Sequence, residues 1–365
     1  MKVGIITFHR AKNIGAMLQA YALQKTLNKY YDCVEIIDYR NYDMENNYKI
    51  KSFKELKGIK SIIKNILTYK KNINFEKIRN EFISNYYCLS KKIYDCDNIK
   101  EANNEYDLFC AGSDQIWNTK LNYNDMTYFL NFVNEDKKMN SYAASFGSNI
   151  ISDDNMDLIV NELNRFNNIS VREDSSKELL KDFLHEKQVN IVLDPTLLLS
   201  KKEWIEFANN KFEKPKYKYI FLYLIAPSDE LIDFAYKMAK KRKYKIICFH
   251  NGYKKYRGMN NLSKMSPLDF INYINNSELV LTSSFHGLCF SVLMGKNFYF
   301  SLDKNKNNNN SRLISITKIL GLEDRNINSF NESNNSIDYN IVNKVLNKEI
   351  NKSLDYIKSL KEGVK

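Results

Sequence analysis

The sequence lacks most of the signatures by which a function is usually read from a chain. It contains neither G-x-G-x-x-G nor G-x-x-x-x-G-K-[ST], so neither a dinucleotide fingerprint nor an ATP-type P-loop is indicated. Its six cysteines, Cys33, Cys88, Cys96, Cys110, Cys248 and Cys289, include no C-x-x-C pair. Several sit in apolar runs, which favours buried thiols over disulfides or a zinc site. No stretch approaches the length of a bilayer-spanning helix, and the opening Met-Lys-Val-Gly-Ile-Ile-Thr-Phe-His-Arg reads as strand and polar turn rather than a secretory h-region. The expectation is a cytoplasmic protein. No zinc finger, ribonucleoprotein motif or aromatic-basic ladder accompanies the positive charge, which argues against nucleic acid as a partner. No short internal repeat is evident.

What is present is a globular composition. The chain has 365 residues, 44% of them hydrophobic and 13% aromatic, which is long and apolar enough for two cores of ordinary domain size. The net charge of +12 comes mostly from lysines scattered among asparagine, isoleucine and tyrosine, a mixture that an AT-rich genome produces. A functional reading stands beside that one: the lysine-rich faces from Lys49 to Lys71 and Lys237 to Lys245 would be drawn to anionic lipid or acidic glycans, as in peripheral contact with the inner face of a membrane.

Along the chain, short apolar runs alternate with helical periodicity. Val3 to Phe8 reads as a buried strand, followed by the loop from His9 to Gly15 and a helix carrying Met17, Leu18 and Tyr21. The turn at Asn13 and Gly15 offers backbone N–H groups, and Gln19 could reach back from the helix; Gly15 also reads simply as close packing. Val34 to Ile37 is a second strand. From Ser52 to about Leu89 the pattern is helical and basic, an insertion that suits an acceptor-facing excursion. Asp95-Cys-Asp97 has the D-x-D form of a metal-binding carboxylate pair but reads as helix capping. Leu108 to Ala111 ends in Gly112-Ser-Asp-Gln-Ile-Trp-Asn118, where Asp114 and Gln115 could orient a sugar hydroxyl over Trp117; alternatively Asp114 caps a helix and Trp117 is core. A strand from Tyr142 to Phe146 ends in the small-residue turn Gly147-Ser148. After a helix near Asp154 to Phe166, Ile169 to Asp174 delivers Arg172 at a strand's carboxyl end, placed either for bidentate capture of an anion or for a salt bridge to Glu173 or another acid. Val192 to Thr196 closes this half as strand and turn, and Lys201 to Lys218 reads as a linker.

A second half follows, with strands at 219–224 and 245–249 and helices at 228–241 and 267–276. Leu279 to Leu281 is then a strand, Thr282, Ser283 and Ser284 supply capping hydroxyls, and Phe285, Leu288, Cys289, Val292 and Leu293 recur on one helical face up to Gly295. His286 falls in the first turn, off that face, where helix N–H groups would meet an anion. It is equally a hydrogen-bonded terminus residue without chemistry. Phe298 to Leu302 is one more strand, Lys304 to Asn310 reads as a mobile loop, Ser311-Arg312 opens a helix to Leu320, and a final helix covers about Ile341 to Leu360. The fold class is α/β: two Rossmann-like doubly wound domains facing across a cleft, residues 1–200 with the 52–89 insertion on the acceptor side and 215–335 on the donor side, with 336–365 packing back on the first.

The ordered motifs resemble the polysaccharide pyruvyl transferase family. The matching pieces are Asn13-Ile-Gly-Ala-Met-Leu-Gln-Ala-Tyr-Ala-Leu23, Gly112-Ser-Asp-Gln-Ile-Trp117, Tyr142-Ala-Ala-Ser-Phe-Gly147, Ser170-Val-Arg-Glu173, Asp194-Pro-Thr196, Ser283-Ser-Phe-His-Gly287 and Ser311-Arg-Leu313. The resemblance implies a glycosyltransferase-B-like fold, phosphoenolpyruvate as donor substrate with no cofactor and no metal, and a sugar or lipid-linked oligosaccharide as acceptor of a pyruvate ketal. By position it implies that Arg172 and His286 are donor-site residues and Arg312 a third. The chemistry fits: a carboxylate and a phosphate need two or more cations plus helix N–H groups, which Arg172, Arg312, Lys296 and the turn at Ser283, Ser284 and His286 could supply. His286 is the candidate acid/base and Asp114 the candidate for activating the acceptor. The alternatives are a nucleotide-sugar glycosyltransferase on the same fold and a non-catalytic glycan-binding subunit of polysaccharide assembly.

Overall fold

The computed structural model describes residues 1–49, 58–147, 155–184, 187–209, 212–250, 252, 254–303, 310–331 and 336–362. The expected loop at 304–309, Ser148 and the start of the basic insertion at 52–57 lie outside the described residues.

Contacts divide the chain into two compact units: residues 1–48, 83–199 and 344–365 form the first, and 49–82 with 200–343 the second. In the first, seven strands are all parallel: β1 (Lys2–Ile6), β2 (Cys33–Tyr39), β3 (Leu89–Tyr94), β4 (Leu108–Asp114), β5 (Met139–Ala144), β6 (Ile169–Val171) and β7 (Val189–Ile191). Their order is β3-β2-β1-β4-β5-β6-β7, so the direction of winding reverses between β1 and β4. β1, β4 and β5 are buried almost throughout, which is why they read as unbroken apolar or small-residue runs. β3 escaped the sequence reading because it is an edge strand whose Lys91, Lys92 and Ile93 face solvent.

The second unit repeats the plan with β8 (Tyr219–Leu224), β9 (Lys245–His250), β10 (Asn260–Asn261), β11 (Leu279–Thr282) and β12 (Phe298–Phe300). All are parallel, in the order β10-β9-β8-β11-β12, and the reversal falls between β8 and β11, where Leu279 pairs with Ile220 and Thr282 with Tyr223. Every residue of β8 and β11 is buried.

Three expectations are corrected. The strand expected at 192–196 is instead β7, slightly earlier, followed by a 3-10 turn at Pro195–Leu197 capped by Asp194. The expected linker at 201–218 opens with a helix, Lys201–Phe207, whose Ser200 and Glu203 form a reciprocal capping box that overrides the lysine-rich composition. The basic insertion was assigned to the first half, yet residues 49–82 group with the second unit. Its long helix, Ile59–Tyr86, is held there by the Lys71 ammonium donating to the carbonyls of His250 and Gly252, and by Phe82 meeting Phe207 edge-on at 6.1 Å. The last helix, Tyr339–Ser359, ends in the first unit, where the Tyr356 hydroxyl donates to the Ser141 carbonyl at 2.9 Å.

Candidate functional site

Open parallel sheets bind ligands beyond the carboxyl ends of their strands, where the winding reverses. In the second unit that place is occupied by a cavity of about 460 Å³. It is lined by the loop after β8 (Ile225 to Glu230), by Ser283 and Phe285 after β11, by Ser301 to Asp303 after β12, and by Asn310, Arg312 and Leu313. Three helices begin at this edge: Asp229–Arg242 capped by Ser228, Phe285–Leu293 capped by Ser284, and Ser311–Leu320. Their unsatisfied N–H groups and dipoles favour an anion here.

Local hydrogen bonds explain why the chain turns as it does. The Ser283 hydroxyl accepts from the Ile225 N–H and donates to the Ala226 carbonyl, both at 3.2 Å, fastening the two loops at the reversal. Thr282 Oγ1 donates to the Tyr223 carbonyl at 2.9 Å and accepts from the Ser284 N–H at 3.0 Å. Gly287 sits directly above it, and a Cβ there would run into Thr282 Oγ1, so the S-S-F-H-G run needs glycine for the helix to approach the strand. The Asn310 amide closes the chain from 303 to 310 by exchanging two hydrogen bonds, each 2.9 Å, with the Asp303 backbone. Arg312 follows in the first turn of the next helix, its guanidinium carbon 5.9 Å from the Phe285 ring centroid. Asp229, Glu230 and Asp303 add three carboxylates to the lining.

Among the expected residues of this unit, Ser283 and Arg312 therefore line the cavity. His286 is 5% exposed and packs edge-on against Phe285 at 5.3 Å, one residue behind the wall. Two others are corrected. Ser284 Oγ accepts from the Gly287 N–H and is a helix cap. Lys296 lies beyond the far end of the Phe285–Leu293 helix, at the amino edge of the sheet. Its ammonium donates to the Ser277 carbonyl at 3.1 Å, and burial holds it below the usual lysine range.

In the first unit the residues expected at the β1 and β4 ends are absorbed by structure. Asn13 Oδ1 accepts from the N–H groups of Gly15 and Ala16, which makes both Asn13 and Gly15 parts of a helix cap rather than ligands. Gln19 is fully buried, its amide donating to Thr7 Oγ1, which donates in turn to the Ser113 carbonyl, both at 3.0 Å. Trp117 has no exposed surface; it stacks on Phe129 at 5.7 Å, meets Phe146 and Phe166, and donates from Nε1 to the Tyr128 carbonyl. It is core, not a sugar platform. Gln115 is 9% exposed and packs against Gly147, where a Cβ would overlap its amide.

Arg172 follows β6 as expected, but its guanidinium is engaged. Nη1 donates to Asp194 at 2.7 Å, Nη2 to Asp114 at 3.3 Å, and Nε lies 3.8 Å from Glu173. Burial works to lower its pKa, and the carboxylates of Asp194, Asp114 and Glu173 outweigh that and raise it. Arg172 and Asp114 thus form a buried ion cluster, not two separate substrate ligands. Asp95 Oδ1 accepts from the N–H groups of Asp97 and Asn98, a local cap.

One cluster was missed by sequence reading. At the ends of β1 and β2, Asp38 accepts from Arg40 at 2.9 Å and stands 3.3 Å from His9 Nε2, while Arg10 bonds Glu45 at 2.8 Å. Burial raises the Asp38 pKa, but the hydrogen bonds from His9 and Arg40 outweigh it and hold the carboxylate well below its ordinary range. The only signal in the sequence was two arginines falling just past two strand ends. Among the described residues no group of His, Cys, Asp and Glu side chains could hold a metal ion, and no helix is long and apolar enough to cross a membrane.

Comparison with known proteins agrees with this architecture. A UDP-GlcNAc 2-epimerase from Methanocaldococcus jannaschii, solved with UDP-GlcNAc and UDP, is similar at TM-score 0.51 and 13% identity, covering 97% of this chain and 93% of its own. A putative UDP-N-acetylglucosamine 2-epimerase from Listeria monocytogenes gives 0.47 and 11% over 98% and 90%, and the E. coli ADP-heptose lps heptosyltransferase II gives 0.42 and 9% over 96% and 99%. At 13% identity the likeness to the first is one of fold, two Rossmann-like units of the glycosyltransferase-B kind. No curated protein matches the sequence. The family model of polysaccharide pyruvyl transferase matches residues 13–303, which takes in six of the seven motifs and stops short of Ser311-Arg-Leu313. That match spans most of the chain and both sheets, and the protein belongs to the polysaccharide pyruvyl transferase family, a family of transferases.

Proposed function

We propose that the chain transfers the enolpyruvyl group of phosphoenolpyruvate onto two hydroxyls of one sugar residue in a polysaccharide or its lipid-linked precursor. The observation that supports this most directly is the 460 Å³ cavity at the reversal of the second sheet, where Arg312 and three helix amino ends meet in one place. In this reading the donor's phosphate is held by Arg312 and the helix amides. The carboxylates of Asp229, Glu230 and Asp303, which can only accept, take hydrogen bonds from the acceptor's hydroxyls.

The chemistry balances without a redox partner. The donor's methylene carbon gains a proton while a first sugar oxygen bonds to the adjacent carbon and loses its own. The bond from that carbon to the phosphate oxygen then breaks, a second sugar oxygen closes the ketal, and its proton leaves with inorganic phosphate. Two hydroxyl protons are consumed, one at the methyl group and one at phosphate. By its place in the family motif His286, one residue behind the cavity wall, is the candidate to move the first, a task worth about 10²–10⁴ in rate. The test is phosphate release from phosphoenolpyruvate, expected only with a glycan acceptor present and lost in Arg312→Gln, with calorimetry of donor binding alongside. The three carboxylates also suit the hydroxyls of a nucleotide sugar. Tight binding of a nucleoside diphosphate, with none of phosphoenolpyruvate, would overturn the proposal in favour of a glycosyltransferase.

A further inference from the structure

The insertion helix Ile59–Tyr86 has two faces of opposite character. Successive residues advance by about 100° around a helix axis. Lys71, Phe82 and the 3%-exposed Arg79 fall on the side that packs on the second unit. On the opposite side, Ile63, Ile66, Tyr69 and Ile73 recur at intervals of three and four and are 50%, 58%, 47% and 41% exposed. Lys70 and Lys77 are exposed on that same side. A stripe of four large apolar side chains left in water is unfavourable for the isolated chain, and its regular spacing sets it apart from scattered surface residues.

The charge of this segment says what covers it. By the same spacing, the charges on the stripe's side between residues 59 and 77 are Lys70 and Lys77, with Glu76 toward its edge, within a chain of net charge +12. A second copy seated on the same stripe by twofold symmetry would bring those lysines against their own images. An anionic lipid surface instead satisfies both features, because the aliphatic groups enter the acyl boundary while the lysines reach the headgroups.

We infer that the Ile63–Ile66–Tyr69–Ile73 face of this helix is a membrane-docking surface that lies in the headgroup region of an anionic bilayer. The inference does not depend on the catalytic proposal, since vesicle binding is measured without donor or acceptor. The full chain should co-sediment with vesicles of phosphatidylcholine plus phosphatidylglycerol, and added salt should release it. Ile66→Asn/Ile73→Asn should weaken binding on the order of tenfold or more. Lys70→Gln/Lys77→Gln should weaken it about fivefold per lysine and flatten the salt dependence. All four side chains are exposed, so melting temperatures should be unchanged; if the isoleucine variant melts early, the lysine variant decides alone. Failure of the wild type to bind anionic vesicles would overturn the inference. So would binding that is indifferent to both variants, or a self-associated form that dissociates in the isoleucine variant without any vesicle binding.

Discussion

Replacing Arg172 with methionine separates two roles that predict opposite results. If the guanidinium is a donor ligand, removing it abolishes turnover and leaves stability intact. The structure predicts a large stability loss instead. Its side chain is 1% exposed, bonded to Asp194 at 2.7 Å and Asp114 at 3.3 Å, with Glu173 at 3.8 Å, and the side chains of Asp194 and Glu173 are 0% and 1% exposed. Removing this cation leaves the Asp194 and Glu173 carboxylates buried with hydrogen bonds from Thr196, Ser145 and Ser176 but without the charge that offsets their desolvation, an effect of about 3–5 kcal/mol. For a unit of this size that is a fall in melting temperature of roughly 6–20 °C.

A double variant carries a second, independent sign. Arg172→Met/Asp194→Asn should recover part of the lost stability, because the neutral amide no longer needs a buried counter-charge. Melting curves of the two variants, read beside activity, make the test. A variant that melts within a degree or two of wild type while losing all turnover would refute the cluster reading.

Other consequences are simpler to measure. Trp117 and Trp204 are both fully buried, so native emission should be blue-shifted and resistant to iodide, with or without any sugar; efficient quenching would return Trp117 to the surface. Gly287→Ala forces a methyl group onto Thr282 Oγ1 and should destabilise the second unit by about 1–3 kcal/mol in urea titration, whereas an unchanged midpoint would mean the helix can lift. Burial, with help from Lys71, lowers the His250 pKa, so the unfolded state binds the extra proton first and stability should fall as pH drops below about 6.5. His250→Gln should flatten that slope, and an identical pH profile in the variant would count against it. His286→Asn should lower kcat by about 10²–10⁴ while donor binding measured by calorimetry persists; full activity in that variant would remove the residue from the reaction.

How much of this was legible in the sequence depended on which partner a side chain needed. The strand, turn and helix around Thr282 to Leu293 could be read directly, because an unbroken apolar run, capping hydroxyls and an i, i+3, i+4 face are all local signals. β3 and the helix Lys201–Phe207 were misjudged where lysine content hid an edge strand and a capping box. Arg172 was placed correctly at its strand end, but nothing local showed that Asp194 and Asp114, 22 residues after it and 58 before it, would close on it.

That the fold holds Asn13 and Ser284, both expected as ligands, has one physical reason. Where parallel strands end, the backbones of neighbouring strands leave donors and acceptors unmatched, and the nearest short polar side chain satisfies them. Thr7 bonds the Ser113 carbonyl, Thr282 the Tyr223 carbonyl and Ser283 the Ala226 carbonyl, while Asn13 and Ser284 cap the helices that follow. The first polar residue past a strand is thus usually claimed by the fold. Groups that can face a ligand come one step later, from helix starts set around the same strand ends, as Phe285 and Arg312 do in the cavity wall. That ordering ranks Arg312 above Asn13 and Ser284 as a donor ligand, although the hydroxyls and amides gave the stronger motif in the sequence, and it places Arg312 at the centre of any first mutational survey of this site.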